Sequence, residues 1–469
     1  MAKTATRERP AFRCDECGLE VAKWVGRCPE CQAWGTIAEL GAARSAIVAP
    51  GPVTAPALRI ADVSVDDANH RPTGVAELDR VLGGGLVPGS VVLLAGEPGV
   101  GKSTLLVTAA ARIAQSGRRC LVVTGEESAA QVRLRAGRID ALADDLYVAA
   151  ETDLAALLGH VDAVRPEVLV VDSVQTISTA AVEGTSGGVA QVREVAAALT
   201  RVAKERRIAT VLVGHVTKEG AIAGPRVLEH LVDVVLHFEG DRHSRLRLVR
   251  TVKNRYGPAD EVGCFDLTDR GIVGLPDPSG LFLSRVADPV PGTCVTVAME
   301  GRRALVSEVQ ALVVPINTPN PRRATSGLDA ARVAMMLAVL DRRGGQRIGT
   351  ADVYAATVGG VRLAEPAADL AIALAFASAI RDRPLPGDVI AVGEVGLAGE
   401  VRPVGALVVR LQEAARLGFR RALVPEGCQV SVPGMQLLEV SDLRSALLVL
   451  NDSVSTRRPA NVVPLDVAR

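Results

Sequence analysis

Aromatic side chains are almost missing from this 469-residue chain: two Trp, three Tyr and six Phe, 2 % of the total. Its cores must therefore be built from Ala, Val, Leu and Ile, and any surface that stacks on bases has few rings to draw on. Excess charge is missing too. Fifty-three basic side chains balance fifty-three acidic ones, which excludes a globally basic nucleic-acid binder but leaves room for local basic surfaces. No run approaches the roughly 20 apolar residues a membrane span requires. Residues Met1 to Arg7 lack the apolar stretch of a secretory signal. The expectation is a cytoplasmic chain without membrane contact, whose eight cysteines stay reduced.

What is present falls into blocks. Cys14-x-x-Cys17 and Cys28-x-x-Cys31 supply four thiolates at a spacing that closes tetrahedrally on one Zn²⁺. Two disulfides or a redox pair are the alternatives. Trp24 and Trp34 lie in the same block, either stacking on a base or partner or forming a miniature core. Residues 1–40 thus read as a zinc-binding module, and 41–70, rich in Ala, Pro, Gly and Val, as a linker.

Further on, an apolar run at Val91–Ala95 leads into Gly96, Glu97, Pro98, Gly99, Val100, Gly101, Lys102, Ser103 and Thr104. This is a GxxxxGKS phosphate-binding loop between a strand and a helix. Its glycines let backbone N–H groups converge on phosphate oxygens, Lys102 reaches the β- and γ-phosphates, and Ser103 ligates Mg²⁺. ATP and Mg²⁺ are the expected cofactors. Further strand-like runs at 120–124, 168–172, 210–213 and 234–238 alternate with helical stretches, giving an α/β fold with a central parallel sheet. Asp172 ends one of these strands and is placed to hold Mg²⁺. Glu126 ends another and is placed to orient or deprotonate the attacking water. A helix-cap role is the plainer alternative for both.

The leader LDRVLGGGL, the loop GEPGVGKST, TGEES, VLVVDSVQT, GHVTKEGAIAGPRVLEH and Lys253-Asn254-Arg255-Tyr256-Gly257 together resemble the bacterial RadA/Sms family of DNA-repair ATPases, within the RecA superfamily. With the N-terminal CxxC pairs, the similarity spans nearly the whole chain. Tyr256 stands where the family's KNRFG signature has Phe. The resemblance implies a RecA-like ATPase domain over 71–275 and an inactive Lon-protease-like domain over 276–451; the polar tail over 452–469, with Pro459 and Pro464, reads as disordered.

It also implies a homo-oligomer in the form of a hexameric ring. Single-stranded and branched DNA are its expected substrates, with RecA as a partner of the zinc module. The function implied is a DNA-stimulated ATPase that promotes branch migration in recombinational repair. The alternative is an ATP-gated DNA-binding switch, or RecA accessory factor, that does not translocate. Lys253 and Arg255 resemble the Lys-x-Arg pair of DnaB-type helicases, which reaches the neighbouring subunit's nucleotide; otherwise they form a solvated basic turn. His215 occupies the position of a γ-phosphate sensor, or else is a structural histidine. Gly-rich segments at 182–189 and 218–226 would carry Lys218 and Arg226 to DNA.

Beyond residue 392 the stretch GEVGLAGEVRPVG is similar to the Lon proteolytic domain. Ala367 stands at the position of the nucleophilic serine and Val408 at that of the lysine, so the resemblance comes without a Ser-Lys dyad. Peptidase activity is not expected. The arginine clusters 302–303, 322–323 and 342–343 with Arg347 would form a basic face for duplex DNA around a ring.

Overall fold

The computed structural model describes residues 11–40, 57, 59–62, 69–215, 225–240, 245–284, 288–316 and 320–448. The chain forms two compact units, Met1–Ser64 and Val65–Arg469.

In the first unit, strands β1 (Ala11–Cys14), β2 (Glu20–Val21) and β3 (Ile37–Leu40) form an antiparallel sheet in the order β2-β1-β3. Its small core is Cys14, Cys28 and Ile37, packed by Phe12, Leu19 and Val21. Trp24 and Trp34 are not part of it. They are 63 % and 75 % exposed, which rules out a tryptophan core. Arg27 lies over the Trp34 ring at 5.7 Å.

The second unit begins with helix α1 (Ala76–Leu82), which Gly83 ends in the left-handed region at φ 81°. Strand β4 (Val91–Gly96) and helix α2 (Lys102–Gln115) follow, then β5 (Cys120–Thr124), α3 (Ala129–Arg138), β6 (Leu146–Ala150), α4 (Leu154–Val164), β7 (Val168–Asp172), α5 (Val189–Arg206) and β8 (Ala209–His215). After the short helix α6 (Pro225–Leu228) come β9 (Val234–Glu239), β10 (Leu246–Asn254), β11 (Val262–Thr268) and β12 (Gly271–Gly274). These strands make one nine-stranded sheet, β12-β11-β10-β9-β4-β8-β7-β5-β6. The six strands from β9 to β6 are parallel and β10 to β12 extend them antiparallel. Strands β4, β5 and β7 are buried along their whole length, so they read as continuous aliphatic runs with no alternation.

Past the short helix α7 (Ser279–Phe282), β13 (Thr293–Glu300) and β14 (Arg303–Pro315) form a long hairpin. Next come β15 (Arg323–Ser326), α8 (Ala330–Arg342), β16 (Ala351–Thr357), α9 (Asp369–Arg381), β17 (Val389–Ala391), β18 (Glu394–Val395), β19 (Val401–Arg402), α10 (Leu407–Arg416), β20 (Arg421–Pro425), β21 (Gln436–Val440) and α11 (Leu443–Ala446). The second sheet runs β15-β16-β14-β13-β17-β20-β21. Helix α9 contributes ten buried residues from Asp369 to Ser378 to its core.

An ion pair ties the two sheets together. The buried Arg303 guanidinium meets buried Glu77 of α1, and also donates to the carbonyls of Val262, Leu275 and Pro276. Glu77 in turn accepts from the Cys264 amide at 2.9 Å. Arg303 is therefore not a surface cation for DNA, contrary to its place in the expected basic clusters.

Candidate functional site: an ATPase centre and a four-cysteine metal centre

The phosphate-binding loop leaves β4 at its carboxyl end, between two parallel neighbours. A Cβ at Gly96 would run into the Phe238 carbonyl of β9, so only glycine fits there. Gly101 starts α2 at φ 111°, where a side chain would strike Ile272. Arg247, buried on β10, donates to the Val100 carbonyl at 3.1 Å and props the loop from beneath.

Lys102 is 4 % exposed and turned back on its own loop. Its ammonium donates to Gly96 O at 2.8 Å and Glu97 O at 2.9 Å, and lies 3.3 Å from His215 Nδ1. Since an ammonium can only donate, Nδ1 accepts and His215 carries its proton on Nε2. That nitrogen meets Glu126 Oε1 at 3.0 Å, and the same oxygen accepts from the Ser173 hydroxyl at 2.6 Å. Asp172 completes the group: ligand atoms of Glu126, Asp172 and His215 lie within 4.8 Å of one another. The strand ends of β5, β7 and β8 thus bring Lys102, Glu126, Asp172 and His215 together.

Charge in this cluster is finely balanced. Burial pulls Lys102 below the ordinary ammonium value, opposed by Asp172 and Glu126. Burial also pushes Asp172 up, offset in part by the Ser103 hydroxyl. Glu126 is raised by burial but lowered further by Ser173, His215 and Lys102, and sits below the ordinary carboxyl value. Asp172 Oδ1 is buried without a hydrogen-bond partner. An orphaned carboxylate oxygen beside Ser103 fits a hard divalent cation such as Mg²⁺.

Neither carboxylate caps a helix: α5, the helix that follows Asp172, has Gly188 at its N-cap. Helix α3 is capped by Ser128 in a capping box with Gln131, and Glu126 lies outside it.

Lys253 and Arg255 are not brought to this cluster. Strand β10 runs antiparallel to β9, pairing Asn254 with Val234 and so carrying both cations to the start of the parallel strands. The six residues of β4 separate them from the P-loop by about 20 Å of strand. Lys253 Nζ donates to Glu229 O and Val232 O, each at 2.7 Å, and Arg255 meets Asp233 at 3.3 Å with its side chain 58 % exposed. Lys218 lies outside the described residues, as does the side chain of Arg226.

Sequence reasoning missed Ser173, Arg247 and Asp233. Only Ser173 carried a signal, as the neighbour of Asp172.

In the first unit, Cys14 and Cys31 Sγ are 3.6 Å apart, as are Cys17 and Cys28 Sγ, and all four sulfurs lie within 4.8 Å of one another. A tetrahedron of Zn–S bonds of about 2.3 Å has edges of about 3.8 Å. A disulfide needs about 2.05 Å, so these are four free thiols converging on one point. Thr36 holds the Cys14 thiol down to about 6, while the sulfurs crowding Cys31 help push it up to about 12 against the Ala33 backbone N–H. A divalent cation relieves that crowding, and the donor set suits zinc.

In the second sheet, Ala367 is buried in a 3₁₀ turn over Pro366–Ala368, and Val408 is half exposed on α10. Two residues from each in sequence, Glu365 and Arg410 form a bidentate pair, both contacts 2.6 Å. Among the described residues no helix is long and apolar enough to cross a membrane.

Fold and site together define a P-loop ATPase that carries a zinc ribbon. Residues 12–39 match the family model of the rubredoxin metal binding domain, 54–221 that of an AAA domain, and 359–427 that of subunit ChlI of Mg-chelatase. The chain is 55 % identical over 458 residues to DNA repair protein RadA of Mycolicibacterium smegmatis, covering 95 % of this chain and 97 % of that one. It is 45 % identical over 466 residues to DNA repair protein RadA of Escherichia coli (strain K12), covering 96 % and 100 %. The chain belongs to the RadA family of DNA repair proteins.

Proposed function

We propose that this chain is a Mg²⁺-dependent ATPase of recombinational DNA repair. It works as a hexameric ring that binds single-stranded DNA and promotes branch migration. One observation carries the reading: Lys102, Glu126, Asp172 and His215 close on the P-loop, while Lys253 and Arg255 sit at the far end of the same sheet. Cations so placed cannot serve their own nucleotide, but in a head-to-tail ring they face the neighbour's. Lys102 and the loop amides of Gly96–Thr104 hold the triphosphate. Ser103 and Asp172 hold Mg²⁺, Glu126 activates water, and Lys253 and Arg255 neutralise charge on the γ-phosphate in trans.

His215 links Lys102 to Glu126, so phosphate that draws Lys102 away frees His215, as a sensor requires. The Gly-rich segment 218–226 carries Lys218 and Arg226 to DNA phosphates. Zn²⁺ holds the N-terminal module, whose partner is RecA, and the protein works in the cytoplasm. The C-terminal region has no dyad at Ala367 and Val408 and serves as scaffold rather than peptidase.

The test measures ATP turnover and strand displacement with and without single-stranded DNA. DNA-stimulated turnover with directional displacement is expected, and Arg255→Ala should lose the stimulation while still binding ATP. Stimulated turnover without displacement would instead identify an ATP-gated switch.

A further inference from the structure

Asp233 lies at the foot of the P-loop strand, at the end opposite the nucleotide. Its carboxylate is 2 % exposed, yet accepts from Val91 N at 3.1 Å, Lys204 Nζ at 2.9 Å and Arg255 Nη1 at 3.3 Å, with the Tyr256 side chain also bonded to it. Its backbone joins the same partners, donating to Val91 O at 2.9 Å and accepting from Arg255 N at 3.2 Å. Residues 229–233 therefore fasten both cations, the half-buried Lys253 through two carbonyls and the exposed Arg255 through Asp233.

A buried carboxylate held by two cations can release one of them. If Arg255 swings to another anion, Lys204 and the Val91 amide still neutralise Asp233, so no charge is stranded in the interior. Arg255 touches Asp233 through a single nitrogen, leaving most of its planar fork turned outward for a bidentate anion such as a triphosphate. Val91 is the first residue of β4 and Gly96, where the P-loop begins, the last.

We propose that Asp233 is the positioning residue for Arg255: it aims the guanidinium at the neighbouring subunit's triphosphate and ties it to the chain's own P-loop strand. This rests on the reading of Lys253 and Arg255 as trans-acting.

Two defective chains are co-expressed in equal amounts and their ATP turnover measured with single-stranded DNA. Asp233→Asn keeps the shape of the side chain and removes its charge. Alone it should bind ATP normally but turn over about 10- to 100-fold more slowly, the cost of a misaimed charge. Lys102→Ala alone should be inactive. Mixed, an Asp233→Asn P-loop can face a Lys102→Ala neighbour with an intact finger, at about one interface in four, and turnover should recover to about a quarter of wild type.

The control mixture pairs Arg255→Ala with Lys102→Ala. Recovery there but not with Asp233→Asn means that Asp233 acts only within its own subunit, which overturns the proposal and leaves trans action standing. Failure of both mixtures overturns trans action itself, and the proposal with it. Wild-type turnover by Asp233→Asn alone also overturns the proposal. If Asp233→Asn does not fold, Lys204→Met decides. With its second cation gone, Asp233 should hold Arg255 back, slowing turnover several-fold with rescue by Lys102→Ala; unchanged turnover overturns the proposal.

Discussion

Glu126→Gln isolates the chemistry of the ATPase centre from its architecture. Both donors to this side chain, Ser173 Oγ at 2.6 Å and His215 Nε2 at 3.0 Å, reach the same oxygen, Oε1. A glutamine can present its carbonyl oxygen at that point and keep both hydrogen bonds, its amide nitrogen taking the place of Oε2. The Lys102–His215 contact at 3.3 Å is untouched. What disappears is one negative charge and the capacity to take a proton. Losing a positioned general base costs about 10²- to 10⁴-fold, so single-turnover hydrolysis should fall within that range. ATP binding, followed with a fluorescent analogue, should stay at the wild-type level. The same carboxyl lies below its ordinary value, so Glu126 stays ionised at neutral pH. Its contribution to stability is present above the unfolded-state value and is lost as pH falls through the lower folded one. Retention of more than about a tenth of wild-type turnover by Glu126→Gln would show that another group activates the water.

Asp172→Asn should remove Mg²⁺-dependent turnover yet raise the stability of the nucleotide-free protein by about 1 kcal/mol, because a charged buried oxygen without a partner becomes neutral; thermal melts with and without Mg-ATP check both. Cys28→Ala should release one zinc per chain and unfold residues 11–40, leaving ATP binding by residues 65–469 intact. Metal analysis with circular dichroism reads it out. Glu77→Ala strands the buried Arg303 and should cost about 3–5 kcal/mol. Urea unfolding, together with hydrogen exchange at the Cys264 amide that Glu77 holds, measures the loss.

Most of the ATPase sheet was legible because its parallel strands are buried on both faces and so appear as uninterrupted aliphatic runs; those at 120–124 and 168–172 match β5 and β7 residue for residue. The antiparallel strands β10 to β12 and the β13–β14 hairpin were not read. Arg247, Arg250 and Glu308 interrupt their apolar patterns, and each is satisfied by partners distant in sequence. The run 389–395 reads as one strand but divides into β17 and β18. Gly393 separates them where a Cβ would press on Val401 at 2.8 Å. Of the site, Lys102 and Asp172 were visible because one opens α2 and the other ends β7, and Glu126 because it follows β5 by two residues. Asp233 was invisible: its meaning lies in Val91, Lys204 and Arg255, none of them a sequence neighbour.

The exposed pair Trp24 and Trp34 has an optical consequence. The chain contains no other tryptophan, and residues 65–469 contain none. Red-edge excitation therefore lights up the zinc module alone, while the ATPase unit stays dark. A shift in that emission on adding ATP would mean that events at the P-loop are felt in the N-terminal unit, and DNA or a partner that covers either indole would announce itself directly, with no label attached.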